Sequence, residues 1–183
     1  MELVSTSFKD LIILKPDVRG DARGYFIESY NFKTFSKLGI SNTFVQDNQS
    51  SSVRGVLRGL HFQNAPYAQT KLVRVLSGTI LDVVVDLRKD ESSFGKYFSI
   101  ELSADNKLQL LIPKGFAHGF VVLSKQAEVF YKCDEYYNPA AEGGIAFNDP
   151  ALGIDWKIPK EEFILSEKDK AYSRMEDVKF NFK

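Results

Sequence analysis

The sequence predicts a mainly β protein, an antiparallel sandwich or barrel with short flanking helices, and three observations support this. Short segments that alternate or are continuously apolar follow one another at close, fairly regular spacing. Turn-forming Gly, Asn and Asp separate them, and no helical crossovers lie between them, which favours antiparallel pairing. The aromatic fraction of 13% is high, and aromatic residues suit pleated, half-buried surfaces.

The clearest strand signals lie between residues 72 and 133. Residues 72–76 and 79–87 flank Ser77-Gly78, which predicts a hairpin across a two-residue turn. Further strands are predicted over residues 97–102, 108–112, 116–123 and 128–133, with a turn at Asp105-Asn106.

Two short helices are predicted to flank this β core. Asn31–Leu38 ends at Gly39, which suits the position after a helix C-terminus. Ser166 and Asp169 have the spacing of a capping box, with Ser166 as the N-cap and Asp169 at N3. Segment 139–159, which is punctuated by Gly and Pro, is predicted to be irregular.

Length and composition narrow the class of protein. A chain of 183 residues is most simply one domain over residues 1–183. Its 24 basic and 24 acidic residues balance, which gives no bulk attraction to nucleic acid or to an anionic membrane. The single cysteine, Cys133, excludes an intrachain disulfide framework. Without a signal-peptide pattern or a membrane-length apolar run, the sequence predicts a cytoplasmic protein.

The chain has only two histidines, His61 in GVLRGLHFQ and His118 in PKGFAHGFVV. Packing, metal binding and proton transfer would each explain them. Both stretches resemble the two sequence motifs of the cupin superfamily, which implies a jelly-roll barrel with both histidines facing one cavity. Many cupins bind a metal through three histidines and a glutamate, but Gln63 stands where the first motif supplies a second histidine. A metal site is therefore disfavoured.

The charges near these histidines are ambiguous from spacing alone. In a regular strand, Arg58 and His61 would point to opposite faces, unless Gly59 marks a bulge that re-aims one of them. Several other charges lie within apolar strands, where they could face either solvent or the cavity: Lys71, Arg74, Asp82 and Asp86.

A more specific resemblance runs essentially from end to end of the chain. Its motifs are, in order, RGYFIE (23–28), QDNQS (46–50), GVLRGLHFQ (55–63), AQTKLVRV (68–75), PKGFAHGF (113–120), YK (131–132), YY (136–137), NDP (148–150) and LSEKD (165–169). Together they resemble the dTDP-4-dehydrorhamnose 3,5-epimerase family of nucleotide-sugar epimerases. One departure is Gln49, where the family often has histidine, at a position to which the family assigns no catalysis.

The resemblance implies a reaction and four catalytic residues. The substrate would be dTDP-4-dehydro-6-deoxy-D-glucose, inverted at C3 and C5 beside its ketone, and no cofactor would be needed. His61 matches the general base and Asp169 the carboxylate that orients it, with a helix cap alone as the less favoured alternative for Asp169. Tyr131 matches the acid on the opposite face, with a core aromatic as the alternative. Lys71 matches the group that stabilises the enolate oxygen.

The resemblance also implies a binding set and a homodimer. Substrate contacts are expected from Arg23, Glu28, Gln46, Asp47, Asn48, Arg58, Lys71, His118, Glu142 and Lys168. The N-terminal segment, roughly residues 1–45, is expected to reach the partner subunit, so that Arg23 and Glu28 complete the neighbouring pocket.

Three alternatives remain open from the sequence. One is an epimerase that inverts a single carbon or acts on another nucleotide-linked 4-keto sugar, since the same base and lysine would serve. A non-catalytic cupin that binds a nucleotide sugar is another, which the full set of four catalytic matches disfavours. A sugar ketoisomerase is less consistent, because such relatives generally lack the terminal portions matched here.

Overall fold

The computed structural model describes all 183 residues. The strands are β1 Glu2–Ser5, β2 Ile12–Lys15, β3 Arg19–Asp21, β4 Gly24–Phe26, β5 Gln46–Val53, β6 Leu57–Gln63, β7 Lys71–Ser77, β8 Thr79–Asp86, β9 Tyr97–Ser103, β10 Gln109–Ile112, β11 Phe116–Val122, β12 Gln126–Cys133 and β13 Glu142–Gly144. The helices are α1 Phe32–Lys37 and α2 Glu167–Lys170, and short 3₁₀ turns lie at Pro139–Ala141, Lys160–Glu162 and Met175–Asp177. Neither helix is both long and apolar enough to cross a membrane.

Two sheets form the body of the molecule. Sheet 1 has the strand order β1-β2-β10-β7-β12-β5, sheet 2 has the order β13-β6-β11-β8-β9, and β3 pairs with β4 in a separate ribbon. Neighbouring strands are antiparallel throughout. The predicted fold class, a cupin-type antiparallel jelly-roll barrel with short flanking helices, is confirmed.

Apolar side chains form three layers around these sheets. The central layer lies between them and joins Val73 of β7 to Val84 of β8. A second layer covers the outer face of sheet 2, where Trp156 and Phe182 from the C-terminal segment pack. A third places Phe35 of α1 against the outer face of sheet 1. Sheet 2 is thus buried on both faces, which explains why β8 reads as a nearly continuous apolar run.

The predicted strands are confirmed to within two residues at each end, but the predicted hairpin is wrong. β7 pairs with β10 and β12 in sheet 1, whereas β8 pairs with β9 and β11 in sheet 2. Gly78 therefore turns the chain from one sheet into the other. Its φ is +77°, and a Cβ there would lie 2.0 Å from the carbonyl oxygen of Gln126. The Ser77-Gly78 sequence suits this corner between sheets as well as it would suit a hairpin turn. The local sequence therefore could not distinguish a corner from a hairpin.

A bulge at Gly59 re-aims the strand that carries His61. His61 pairs with His118 and Arg58 pairs with Phe120, so Gly59 and Leu60 together oppose one residue of β11. Gly59 has a φ of +132°, and a Cβ there would lie 2.5 Å from the Cα of Gly119. Glycine is therefore required here both for backbone conformation and for space.

The flanking helices occur where the sequence predicts them. Asn31 caps α1 by accepting hydrogen bonds from two backbone amides, and Gly39 follows the helix with a φ of +85°. Segment 139–159 is mostly irregular, as predicted, but it also contains the unpredicted strand β13, which pairs with β6. Three residues that include two glycines carry too little apolar pattern to signal a strand.

Candidate active site

An imidazole–carboxylate pair lies in the space between the two sheets. Nε2 of His61, on β6, is 2.6 Å from Oδ1 of Asp169, on α2, although 108 positions separate them in the chain. The carboxylate is buried, whereas 30% of the imidazole side chain is exposed to the cavity. Since the carboxylate accepts from Nε2, a neutral His61 leaves the lone pair of Nδ1 free.

The start of α2 determines the orientation of the carboxylate. Ser166 is the N-cap, and its hydroxyl accepts a hydrogen bond of 3.1 Å from the backbone nitrogen of Asp169. The same hydroxyl donates to Oδ2 of Asp169 at 2.7 Å. The helix-cap and dyad interpretations are therefore compatible, since Asp169 occupies N3 of the helix and also contacts His61.

Asp169 is held in its ionised form. Burial alone would raise its pKa, but hydrogen bonds from His61 and Ser166 outweigh burial and keep the pKa below the ordinary aspartate value. An ionised carboxylate at this position stabilises a positively charged imidazole, as the aspartate does in a Ser–His–Asp triad. The pair is therefore built to accept a proton at His61.

A second imidazole–carboxylate pair lies beside the first. His118 faces His61 across the β6–β11 pairing, and its Nε2 is 2.9 Å from Oδ2 of Asp82 on β8. Asp82 is fully buried and His118 is 7% exposed. The sequence left open whether Asp82 and Asp86 face solvent; both are buried. Asp86 serves a different purpose, since it binds the guanidinium of Arg88 at 2.7 Å.

Sheet 1 supplies the opposite wall of the cavity. Lys71 begins β7 and Tyr131 lies on β12, and the Lys71 ammonium is 5.9 Å from the centre of the Tyr131 ring. Burial lowers the pKa of Lys71, and the charges of Asp82 and Glu142 oppose that effect. Burial likewise raises the pKa of Tyr131, which keeps its phenol protonated. The two histidines and this pair therefore face each other from different sheets.

These side chains surround one cavity of about 490 Å³. Its lining contains Ser50, Val56, Leu57, Arg58, His61, Lys71, His118, Phe120, Tyr131, Ile164, Leu165, Ser166, Lys168 and Asp169. Seven of these lining residues were not among the predicted site residues: Ser50, Val56, Leu57, Phe120, Ile164, Leu165 and Ser166. Two signals were available: Ser50 lies within the QDNQS motif, and Phe120 lies two residues after His118 and therefore on the same strand face.

Four of the ten predicted substrate contacts line the cavity, namely Arg58, Lys71, His118 and Lys168, and Glu142 contacts the cavity residue Lys168. Arg58 reaches the cavity because of the bulge, and its Nε donates to Ser52 at 3.2 Å. Glu142 accepts a hydrogen bond of 2.7 Å from the hydroxyl of Tyr137 and pairs with Lys168 at 2.5 Å. This cluster links β13 to α2.

The remaining predicted contacts lie outside the cavity of a single chain. Gln46 and Asn48 project from the same face of β5 as Ser50, and their side chains are joined at 3.0 Å. Asp47 points to the other face and pairs with Lys132 at 2.9 Å. Arg23 is exposed on the β3–β4 ribbon, paired with Asp21, and Glu28 bonds Asn31 and Thr34 beside α1. Their contact with substrate stays a prediction.

The position expected to carry a second metal ligand in many cupins is used differently here. The side chain of Gln63 donates to the backbone oxygens of Tyr67 and Tyr136, and it accepts from the backbone nitrogen of Asn138. Its polar atoms are thus occupied by the loops that follow β6 and β12. No three His, Cys, Asp or Glu side chains come together in a way that could hold a metal ion. The residues present do not fit a cupin metal centre.

Comparisons with known proteins identify relatives along nearly the whole chain. The family model for dTDP-4-dehydrorhamnose 3,5-epimerase matches residues 5–177. The epimerase of that name from Salmonella typhimurium is 52% identical over 175 residues, covering 93% of each chain. The crystal structure of the enzyme from Elizabethkingia anophelis is 54% identical and superposes with a TM-score of 0.93, covering 97% of each chain.

A ligand-bound structure is also similar. A dTDP-6-deoxy-D-glucose-3,5-epimerase from Legionella pneumophila, solved in complex with dTDP-4-keto-L-rhamnose, is 45% identical with a TM-score of 0.93. The alignment covers 97% of this chain and 94% of that one. The fold, the ordered motifs and these matches lead to one conclusion. The chain belongs to the dTDP-4-dehydrorhamnose 3,5-epimerase family.

Proposed function

We propose that the chain converts dTDP-4-dehydro-6-deoxy-D-glucose into dTDP-4-dehydro-L-rhamnose by inverting C3 and C5, a step of dTDP-L-rhamnose biosynthesis. It is then a carbohydrate epimerase of EC class 5.1.3. One observation carries the proposal: a histidine on one sheet, paired with a carboxylate from α2, faces a protonated tyrosine and a lysine on the other sheet. Inversion needs proton removal on one side of a carbon and proton delivery on the other, and opposed walls provide both.

His61 is the base in this mechanism. Its free Nδ1 takes the proton from a carbon beside the ketone, and Asp169 stabilises the imidazolium that results. Imidazole suits this task because it gains and loses a proton near neutral pH. A base acting alone contributes about 10²- to 10⁴-fold to rate, and a coupled pair contributes more.

Each proton removal leaves an enolate with negative charge on the ketone oxygen, O4. Lys71 stabilises that charge, and His118, held by Asp82, lies close enough to assist as a substrate contact. Removing one well-placed donor of this kind lowers rate by about 10²- to 10³-fold. The reaction needs no redox cofactor, since the ketone is already present in the substrate.

Tyr131 completes the inversion by returning a proton on the opposite face. Its raised pKa keeps the phenol protonated until the enolate forms. The proposal requires the sugar ring to lie between β6 and β12, with its reacting carbons near both side chains. The cavity volume of about 490 Å³ leaves room for a hexose ring.

The nucleotide end of the substrate is bound by local charge in a chain of zero formal net charge. Arg58 and Lys168 in the cavity suit the diphosphate, since guanidinium and ammonium groups bind phosphate oxygens. Glu142 positions Lys168 through their ion pair. Gln46 and Asn48 project from the same face of β5 as the cavity residue Ser50, and their amides are the groups proposed to contact the thymine edge.

We also propose that the enzyme works as a cytoplasmic homodimer. Arg23 and Glu28 lie outside the cavity of their own chain, and Tyr25 and Phe26 beside them are 59% and 66% exposed. A partner subunit would cover these aromatic rings and would receive Arg23 and Glu28 at its pocket. Light scattering checks the dimer, and mixing the inactive variants R23A and H61N checks the shared pocket. Restored activity supports a shared pocket, and its absence despite subunit exchange contradicts one.

The function is tested by incubating the protein with dTDP-4-dehydro-6-deoxy-D-glucose in D₂O and following deuterium by NMR. Label at both C3 and C5, with accumulation of the L-rhamno product, supports the double epimerase. Label at one carbon identifies a single-carbon epimerase instead. Binding without label identifies a non-catalytic binder. A parallel sample without protein corrects for spontaneous exchange.

A further inference from the structure

We propose that Tyr172 is a positioning residue that fixes the rotation of the His61 imidazole, an inference that rests on the proposed function. The Tyr172 ring packs on His61 with ring centres 5.6 Å apart and planes at 65°. Tyr172 follows α2 in the chain and does not line the cavity, so it acts through His61 and not on the substrate. No sequence motif singled it out.

The hydrogen bond to Asp169 is not sufficient to hold His61. A single bond restrains only Nε2, and small combined rotations about χ1 and χ2 can keep Nε2 near the carboxylate while they tilt the ring. Such a tilt would move Nδ1, the atom that must reach the substrate carbon. A second ring packed against the imidazole removes that freedom, and catalytic groups depend on such support for their orientation.

The space for Tyr172 is provided by Gly144. In the β6–β13 pairing, Gly144 lies directly opposite His61. A Cβ at Gly144 would lie 2.3 Å from Cζ and 2.4 Å from Cε1 of Tyr172. The backbone of Gly144 does not adopt the left-handed conformation that favours glycine, so a side chain is excluded by the tyrosine ring alone.

The ring of Tyr172, and not its hydroxyl, carries this role. The hydroxyl is buried and has no hydrogen-bond partner. Burial is the main effect that raises the pKa of this hydroxyl, and the negative charge of Glu142 raises it further. The nearby Lys168 lowers it. Phenylalanine would preserve the packing on His61 and remove an unpartnered polar group. The Y172F variant therefore separates packing from any polar contribution of the phenol.

The test compares Y172F, Y172A and G144A by steady-state kinetics and by dTDP binding. Y172A is expected to lower kcat by about 10²-fold, since a small misplacement of a catalytic group has effects of that size. KM and dTDP affinity stay unchanged, and Y172F retains the wild-type kcat. G144A lowers kcat because its methyl group displaces the ring. In the Y172A background, G144A causes no further loss, because the ring it would displace is gone.

G143A is the matched control. A Cβ at Gly143 would lie 2.4 Å from Cζ of Phe62, a core residue next to His61 that points to the other face of the strand. G143A should therefore lower the melting temperature and leave the kcat of the folded enzyme near wild type. Equal losses of kcat in G143A and G144A would indicate general disruption of the strand and overturn the proposal.

Other outcomes also overturn it. Additive losses in G144A/Y172A would show that the two residues act independently, and a Y172F variant as impaired as Y172A would assign the effect to the hydroxyl. If Y172A fails to fold, G144A and Y172F still decide the matter. Wild-type exchange in D₂O separates the two proposals: without it the function fails, and with it an unimpaired Y172A refutes only the positioning role.

Discussion

Replacing Asp169 by asparagine removes the charge beside His61 while keeping the size of the side chain. Opposite charges about 4 Å apart in a partly exposed site interact by about 4 kcal/mol. If half of that interaction has developed in the transition state, about 2 kcal/mol is lost, which corresponds to about 30-fold in kcat. The new amide can also donate to Nε2, which would move the imidazole proton to Nδ1 and remove the base. The equivalent change in a Ser–His–Asp triad costs about 10⁴-fold.

We therefore expect D169N to lower kcat by between about 30-fold and 10⁴-fold, with little change in KM. The rate is measured by NMR on the product, and circular dichroism melting verifies that the variant is folded. E167Q is the matched control, because Glu167 lies in the same helix with its side chain 90% exposed and loses the same charge without contacting His61. A D169N enzyme with wild-type kcat would refute the role of the pair.

Three further perturbations test other parts of the structure. Because burial lowers the pKa of Lys71 in the free enzyme, kcat/KM should decline with rising pH at a value below the ordinary lysine 10.5, and K71M should lose about 10²- to 10³-fold at neutral pH; a limb at or above 10.5 would argue against a lysine in this environment. G59A should destabilise the fold by at least about 1–3 kcal/mol in urea titration and weaken dTDP binding, whereas G153A, which has a φ of +59° but open space around it, should keep dTDP binding intact. D86N should destabilise by about 3–5 kcal/mol, since it leaves the Arg88 guanidinium buried without its partner. Burial raises the pKa of Asp86, but hydrogen bonds from Arg88 and Ser93 hold it below 3.8, so the wild-type advantage over D86N should be present above pH 4 and disappear as the pH falls through the folded pKa; a constant difference would contradict this linkage.

The strands were predictable because the local pattern of apolar residues reflects which side chains are buried. The sheet to which each strand belongs could not be predicted in this way. The turn at Gly78 satisfies the same rules in a hairpin and at a corner between sheets, and only the pairing partners distinguish the two. The bulge at Gly59 was predicted conditionally: Arg58 and His61 could share a strand face only if a bulge added an extra residue between them. β13 was not predicted because two of its three residues are glycine and provide no apolar pattern.

The catalytic set was predictable chiefly through the resemblance of ordered motifs, since His61 and Asp169 meet only through the fold. Asp82 was noticed as a charge within an apolar strand, but its pairing with His118 depends on the β8–β11 register, which spacing cannot supply. Tyr172 gave no signal at all, because a tyrosine in an irregular C-terminal segment is chemically unremarkable until its contact with His61 is known.

The most direct test is deuterium exchange catalysed by H61N. The asparagine cannot accept the proton, yet Arg58 and Lys168 remain to hold the diphosphate. We expect H61N to bind dTDP with wild-type affinity and to lose exchange at both C3 and C5. Exchange at either carbon at the wild-type rate would show that another group removes the proton, and His61 would then not be the base.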